Sequence, residues 1–209
     1  MTAPDAMRSE PSDWIVRWSH LVPPGGTVLD VACGSGRHMR WFHERGHAVT
    51  GIDRAPEALA AAALFGHTVK ADIENGPWPF ATTSGLLNRR FDAVIVTNYL
   101  WRPRLADVVA SVALGGVLLY ETFSAGHGSV GKPSRPDFLL QTGELLKVCA
   151  GLRIVAFEEG WLDAPGRFVQ RIAAVCPREA GSATPARYAL YNPALESIIG
   201  PDKARSASQ

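Results

Sequence analysis

Cysteine is scarce in this chain: Cys33, Cys149 and Cys176 are the three present in 209 residues. Odd in number and widely spaced, they do not read as a disulfide framework but as reduced thiols of a cytoplasmic protein. An excess of either charge is missing too. The 21 Lys and Arg against 20 Asp and Glu leave a formal charge of +1, spread along the chain. That balance offers no electrostatic case for duplex nucleic acid or a membrane surface. No apolar run approaches the ~20 residues that span a bilayer, and residues 1–11 lack the apolar core of a signal peptide. Hydrophobic and charged contents of 46% and 20% are ordinary for a globular protein. The length suits one domain with one sizeable core, and no internal repeat divides it. The expectation is a cytoplasmic domain with no membrane partner; nucleic acid is not expected, and the oligomeric state stays open.

What is present is concentrated between Val28 and His38, in the run V-L-D-V-A-C-G-S-G-R-H. It reads as a buried strand that turns through Gly34 and Gly36 into a helix over Met39–Arg45. Such a turn offers backbone N–H groups at the carboxyl end of a strand, and glycine lets the backbone approach a bulky ligand. The pattern is neither G-x-G-x-x-G, since His38 and Met39 stand where its last glycine would fall, nor a P-loop, which needs Gly-Lys-Ser/Thr. A second strand, His47–Asp53, ends in an acid 19 positions after Gly34. An acid there can accept hydrogen bonds from ribose hydroxyls. A third, Thr68–Ala71, runs into Asp72 and Ile73. Each acid alone has an ordinary reading as a helix cap or turn residue. Three in succession, Asp30, Asp53 and Asp72, arrive at one edge of a sheet.

In V-L-D-V-A-C-G-S-G, V-T-G-I-D, A-D-I-E, F-D-A-V-I-V-T-N-Y-L and L-G-G-V-L-L-Y-E-T-F, the chain resembles the class I S-adenosylmethionine-dependent methyltransferases from about Val28 to Pro177. Within them it is most similar to small bacterial methyltransferases grouped with tellurite-resistance proteins. The resemblance implies S-adenosylmethionine as cofactor and S-adenosylhomocysteine as product. It places the loop of Ala32, Cys33, Gly34 and Gly36 against the methionine moiety and counts Asp30 among the cofactor-binding residues. Asp53 would hold the ribose and Asp72 would meet the adenine amine beside Ile73, and Arg54, Asn98 and Tyr99 complete the expected cofactor-binding set. Ala32 stands where the family usually has its first glycine.

The remaining pattern alternates strand and helix. Ser12 or Asp13 caps a helix to Leu21, and Pro56 starts another that runs to Phe65. Residues 73–90 are turn-rich and leave room for one short helix. Phe91–Thr97 reads as a strand, Leu105–Ala113 as a helix ended by Gly115 and Gly116, and Val117–Phe123 as a strand. Two last strands flank Asp163-Ala164-Pro165-Gly166 as a hairpin. The expected fold is α/β: one Rossmann-like methyltransferase domain with a mostly parallel seven-stranded sheet, a final antiparallel hairpin strand, and helices on both faces. The domain is expected over residues 1–177, with a short N-terminal helix at 12–22 and a tail at 178–209.

The acceptor belongs across from the cofactor, at the ends of the fourth and fifth strands. Candidate bases are Glu121, His127 and Tyr99, and Arg102 and Arg135 are candidate holders of an anionic acceptor. Gly126 to Phe138 carries glycines at 126, 128 and 131 and reads as a mobile lid. His38, His43 and His47 do not share a helix face, so no metal site is expected. No N-P-P-Y or D-P-P-Y box, Pro-Cys pair or acid cluster follows the fourth strand. These absences favour a small-molecule acceptor reached by in-line displacement. Methylation of structured RNA, a nicotinamide oxidoreductase and a non-catalytic cofactor-binding module remain as alternatives.

Overall fold

Thirteen helices and strands alternate along the chain in a computed structural model that describes residues 10–82, 85, 87–178 and 186–191. In order they are α1 (Asp13–Trp18), β1 (Thr27–Val31), α2 (Arg37–His43), β2 (Ala48–Asp53), α3 (Pro56–Ala62), β3 (His67–Lys70) and α4 (Pro79–Thr82). Then follow β4 (Phe91–Thr97), α5 (Leu105–Ala110), β5 (Val112–Phe123), α6 (Glu144–Val148), β6 (Arg153–Asp163) and β7 (Gly166–Val175). The sheet order is β3-β2-β1-β4-β5-β7-β6, parallel as far as β5 and antiparallel at β7 and β6. The order in which strands are added to the sheet reverses between β1 and β4, so a crevice opens at the carboxyl ends of those parallel strands, where open α/β sheets bind ligands.

Strands covered on both faces need apolar side chains on both, which is why β4 reads Phe-Asp-Ala-Val-Ile-Val with little alternation. Val94 and Val96 pack with α5 and α6 through Leu105, Val108 and Leu145. Ala93 and Ile95 pack with α1, α2 and α3 through Trp14, Trp18, Phe42 and Leu59. Gly51 sits where α2 presses closest, because a Cβ there would run into Met39 and lie 2.7 Å from the Cys33 sulfur. Ser12 caps α1 by accepting from the Trp14 N–H at 3.2 Å.

Three local expectations are corrected. Gly115 and Gly116 do not end α5. The helix stops at Ala110, and the chain enters the sheet at once as Val112 pairs with Phe91. The register then shifts between Phe91 and Ala93, and the two glycines serve that irregularity. Gly115 has φ +79°, and a Cβ on Gly116 would lie 2.9 Å from the carbonyl oxygens of Phe91 and Asp92. α2 begins at Arg37 rather than Met39, because Gly36 takes φ 82° and supplies the cap position. The segment from Gly126 to Phe138, expected as a lid, is not an open loop. It holds short 3-10 turns at His127–Ser129 and Pro136–Phe138, and its two ends are pinned by Ala125 N–H to Leu140 O and Leu140 N–H to Phe123 O.

Part of the expected tail also packs. Tyr188 lies against the α1 side of the core, and a ring nitrogen of His20 is 3.0 Å from the Ala189 carbonyl oxygen. The expected mobility of the chain's end falls on residues 192–209, outside the described residues.

Candidate cofactor and acceptor site

The turn after β1 is left-handed three times, at Ala32 (φ 55°), Gly34 (φ 54°) and Gly36 (φ 82°), and Asn98 after β4 repeats it (φ 54°). Left-handed backbone on Ala32 and Asn98 is held against their intrinsic preference, a feature that clusters at ligand sites. Asp53 ties the turn down. Its Oδ2 accepts from the Gly34 N–H and its Oδ1 from the Ala55 N–H, both at 2.9 Å. Each carboxylate oxygen keeps a further lone pair for a hydroxyl.

Two adjoining clefts meet here. One is walled by Ile52, Ala71, Ile73 and Tyr99 and rimmed by Asp53 and Asp72; Arg54, paired with Glu74 at 3.5 Å, stands over it. The other is bounded by Cys33, Gly34, Arg37, Thr97 and Asn98. Ala32 and Tyr99 line both, so the clefts are continuous. Asp72 is exposed, and its carboxyl is held below the usual range by Asn75, whose side chain and N–H both bond it, and by the Glu74 N–H. The Tyr99 hydroxyl is buried without a partner among the described residues, and burial pushes it well up, so it stays protonated. An apolar slot between two carboxylates and an unspent hydroxyl fits an adenosine; no side chain fills the space over Gly34.

Gly36 and Asp30 stand apart from these walls. A Cβ on Gly36 would meet Ala62 at 3.0 Å, so its want of a side chain serves the packing of α2 on α3. Asp30 lies beneath the turn, 2% exposed, and its Oδ2 has no hydrogen-bond partner among the described residues. Burial, followed by repulsion from Asp53, raises its carboxyl to about 7 against the pull of Arg37 and the Met39 N–H. His38, 4.0 Å away, is pushed down to about 3 by burial and Arg37. Its Nε2 accepts from the Ser12 N–H at 3.1 Å, as a neutral ring does.

A pH prediction follows. From about pH 4 to 7 the folded chain keeps an Asp30 proton that the unfolded chain releases, so this contribution to stability is lost as pH rises. His38 acts oppositely, its contribution being lost as pH falls from 6.5 toward 3. Asp30→Asn removes the first slope alone. Its unfolding free energy minus that of the native chain should rise by roughly 1 kcal/mol per pH unit between pH 5 and 7. Urea titrations at both pH values check this, and a constant difference rules it out.

On the acceptor side, Glu121 is 1% exposed. Its Oε1 accepts from Ser12 Oγ and from Arg167, both at 3.1 Å, and its Oε2 from Arg171 at 3.4 Å. His127 is buried rather than at a lid's tip, stacked on Phe123 with centroids 4.4 Å apart, and its Nε2 is 3.1 Å from the Lys132 carbonyl oxygen. Arg102 bonds Glu144 and the Asp137 and Leu139 carbonyls, so it anchors the segment before α6. Arg135 pairs with Asp137 at 2.8 Å on the surface. The structure therefore brings neither of these two arginines to the clefts. It brings Arg37 to them and gathers Arg167 and Arg171 around Glu121, three arginines that sequence reasoning missed. Arg167, Val169 and Arg171 alternate along β7 on the face of Glu121, and that spacing of two was the available signal.

Among the described residues no three His, Cys, Asp or Glu side chains are placed to hold a metal ion, and no helix is long and apolar enough to cross a membrane.

Residues 28–114 match the family model described as a methyltransferase domain. Over that stretch the chain is similar to methyltransferase domains. The chain is 35% identical over 107 residues to the malonyl-[acyl-carrier protein] O-methyltransferase of Serratia marcescens, a match covering 49% of this chain and 40% of that protein. It is 32% identical over 122 residues to the tRNA U34 carboxymethyltransferase of Pseudoalteromonas translucida, covering 53% and 37%. The chain thus spans about two fifths of these curated relatives. In fold, the methyltransferase domain is similar to the crystal structure of TehB from Haemophilus influenzae, with TM-score 0.58 and 20% identity over 75% of this chain and 59% of that one.

Proposed function

We propose that this chain catalyses S-adenosylmethionine-dependent methyl transfer to a small-molecule acceptor. The observation that carries the reading is the continuous crevice from Asp72 and Asp53 to Gly34 and Thr97, bridged by Ala32 and Tyr99. S-adenosylmethionine bound there supplies a methyl group made electrophilic by its sulfonium.

The chain's own residues do the rest. Asp53 offers two acceptor oxygens to the ribose diol, and Asp72 one to the adenine amine. Arg37, the first residue of α2, places a guanidinium beside the loop for the amino-acid carboxylate. Thr97 and Asn98, at the end of β4, form the wall from which an acceptor would approach in line. Cys33 is no candidate nucleophile, because burial, with Asp30 and Asp53 nearby, drives its thiol far up. Tyr99, held protonated, suits hydrogen-bond donation better than proton removal.

Calorimetric titration with S-adenosylhomocysteine should give saturable one-site binding, whereas NADH should give none. Methyl-labelled S-adenosylmethionine, offered with a protein-free metabolite extract or with purified tRNA, then reads the acceptor class. Label in small molecules supports the proposal. Label confined to tRNA overturns the acceptor class, and NADH binding in place of S-adenosylhomocysteine overturns the cofactor.

A further inference from the structure

A second cavity, of about 330 Å³, lies between α1 and the β6–β7 turn, lined by Trp14, Arg17, Leu162, Arg167 and Arg171 and by the carboxylates of Asp13, Glu121 and Asp163. We propose that this cavity is the acceptor subsite and that it takes a small organic anion, its carboxylate held by Arg167 with Arg171 and Arg17. The inference rests on the methyltransferase reading and adds the substrate class.

Position comes first. Thr97, in the wall of the cofactor crevice, and Glu121, in the wall of this cavity, are register partners on adjacent strands. Neighbouring strands lie about 4.8 Å apart, so the two spaces adjoin across one backbone. Arg37, on the crevice side, feels the charges of both Glu121 and Arg167.

Charge and hydrogen bonding come next. The innermost carboxylate is Glu121, and it faces two guanidiniums, those of Arg167 and Arg171. Glu158 draws Arg171 and Arg17 from the outer side, and Asp163 accepts from the Trp161 ring N–H. Each guanidinium has five N–H donors. The bonds from Arg17, Arg167 and Arg171 to Glu121 and Glu158 use five of the fifteen. Arg167 Nε is buried with no partner among the described residues. A buried guanidinium edge with an unspent donor calls for an acceptor of matching fork geometry, which a carboxylate has.

Shape supplies the organic part. Arg171 and Arg17 lie over the Trp14 ring at 4.9 and 5.8 Å, and Leu162 and Ala164 close one side. The cavity's volume is at the lower end of the range for metabolite-sized ligands. Glu121 is then a positioning residue. Fixed by the Ser12 hydroxyl, it holds Arg167 and Arg171 in place before any acceptor arrives.

The test titrates the full chain, saturated with S-adenosylhomocysteine, with sodium benzoate and with neutral benzamide. Benzoate should bind and benzamide should bind at least tenfold more weakly. Arg167→Met should weaken benzoate at least tenfold, and Arg17→Met, at a half-exposed position that folding tolerates, severalfold. Both variants should leave S-adenosylhomocysteine binding within twofold. Absence of benzoate binding, equal binding of benzamide, or indifference to both substitutions overturns the proposal. Parallel loss of S-adenosylhomocysteine binding in Arg167→Met overturns it too, by assigning the guanidinium to the cofactor. The same benzoate titration without nucleoside still reads the cavity, so a chain that fails to bind S-adenosylhomocysteine refutes the methyltransferase reading separately.

Discussion

Asp53→Ala should weaken S-adenosylhomocysteine binding by at least about 100-fold. Two charge-assisted hydrogen bonds to a ribose diol are worth ~1.5–3 kcal/mol each, and every 1.4 kcal/mol is tenfold in affinity. The substitution also frees the N–H groups of Gly34 and Ala55, which Asp53 now holds at 2.9 Å, so the turn after β1 loses its tether as well. The fold should survive, because Ile52 and the register of β2 with β1 and β3 are untouched. Calorimetry on the native chain and the variant, with circular dichroism as the control for folding, checks both halves. An affinity unchanged within threefold would remove Asp53 from the site, and with it the argument from strand-end acids.

Glu121→Leu should lower stability by about 3 kcal/mol. Removing one partner of a buried ion pair strands the other charge, at a cost of ~3–5 kcal/mol. The low end applies because the side chains of Arg167 and Arg171 keep 19% and 15% exposure, and Arg171 retains Glu158. For a domain of this size that is a fall in Tm of roughly 6–12 °C. The double variant Glu121→Leu with Arg167→Met should recover part of the loss, since it removes a stranded charge, and a double-mutant cycle measures the coupling. A loss below about 1 kcal/mol in the single variant would show that water reaches the arginines.

The crevice for the cofactor was legible because its determinants are local. Asp53 and Asp72 each follow a short apolar run, and an acid at or just past the end of a strand comes to the sheet's edge whatever packs around it, whereas Asp30 lies within β1 and is buried. The turn at Ala32 to Gly36 carries its own conformational signal in glycine. Arg102 and Arg135 misled because a basic residue's position in a loop says nothing of which carboxylates and carbonyls will claim it. Arg102 is consumed by Glu144, 42 positions away. Gly115 and Gly116 misled for a related reason: a glycine pair after a helix marks a C-cap or a strand irregularity with equal force, and only pairing with Phe91 decides.

The sequence by itself determined the α/β class, the mostly parallel sheet that follows from alternating strands and helices, the hairpin at the end, and the glycine turn and strand-end acids that line the crevice. Those are consequences of periodicity, glycine and short-range succession, which act within tens of residues. Tertiary structure alone decided the acceptor side. Ser12, Glu121 and Arg167 are 109 and 46 positions apart in turn, yet share one carboxylate oxygen. The partners of a buried charge are chosen by which strands come to lie side by side, and the cost of leaving that charge unpaired enforces the choice. No window of sequence contains that information.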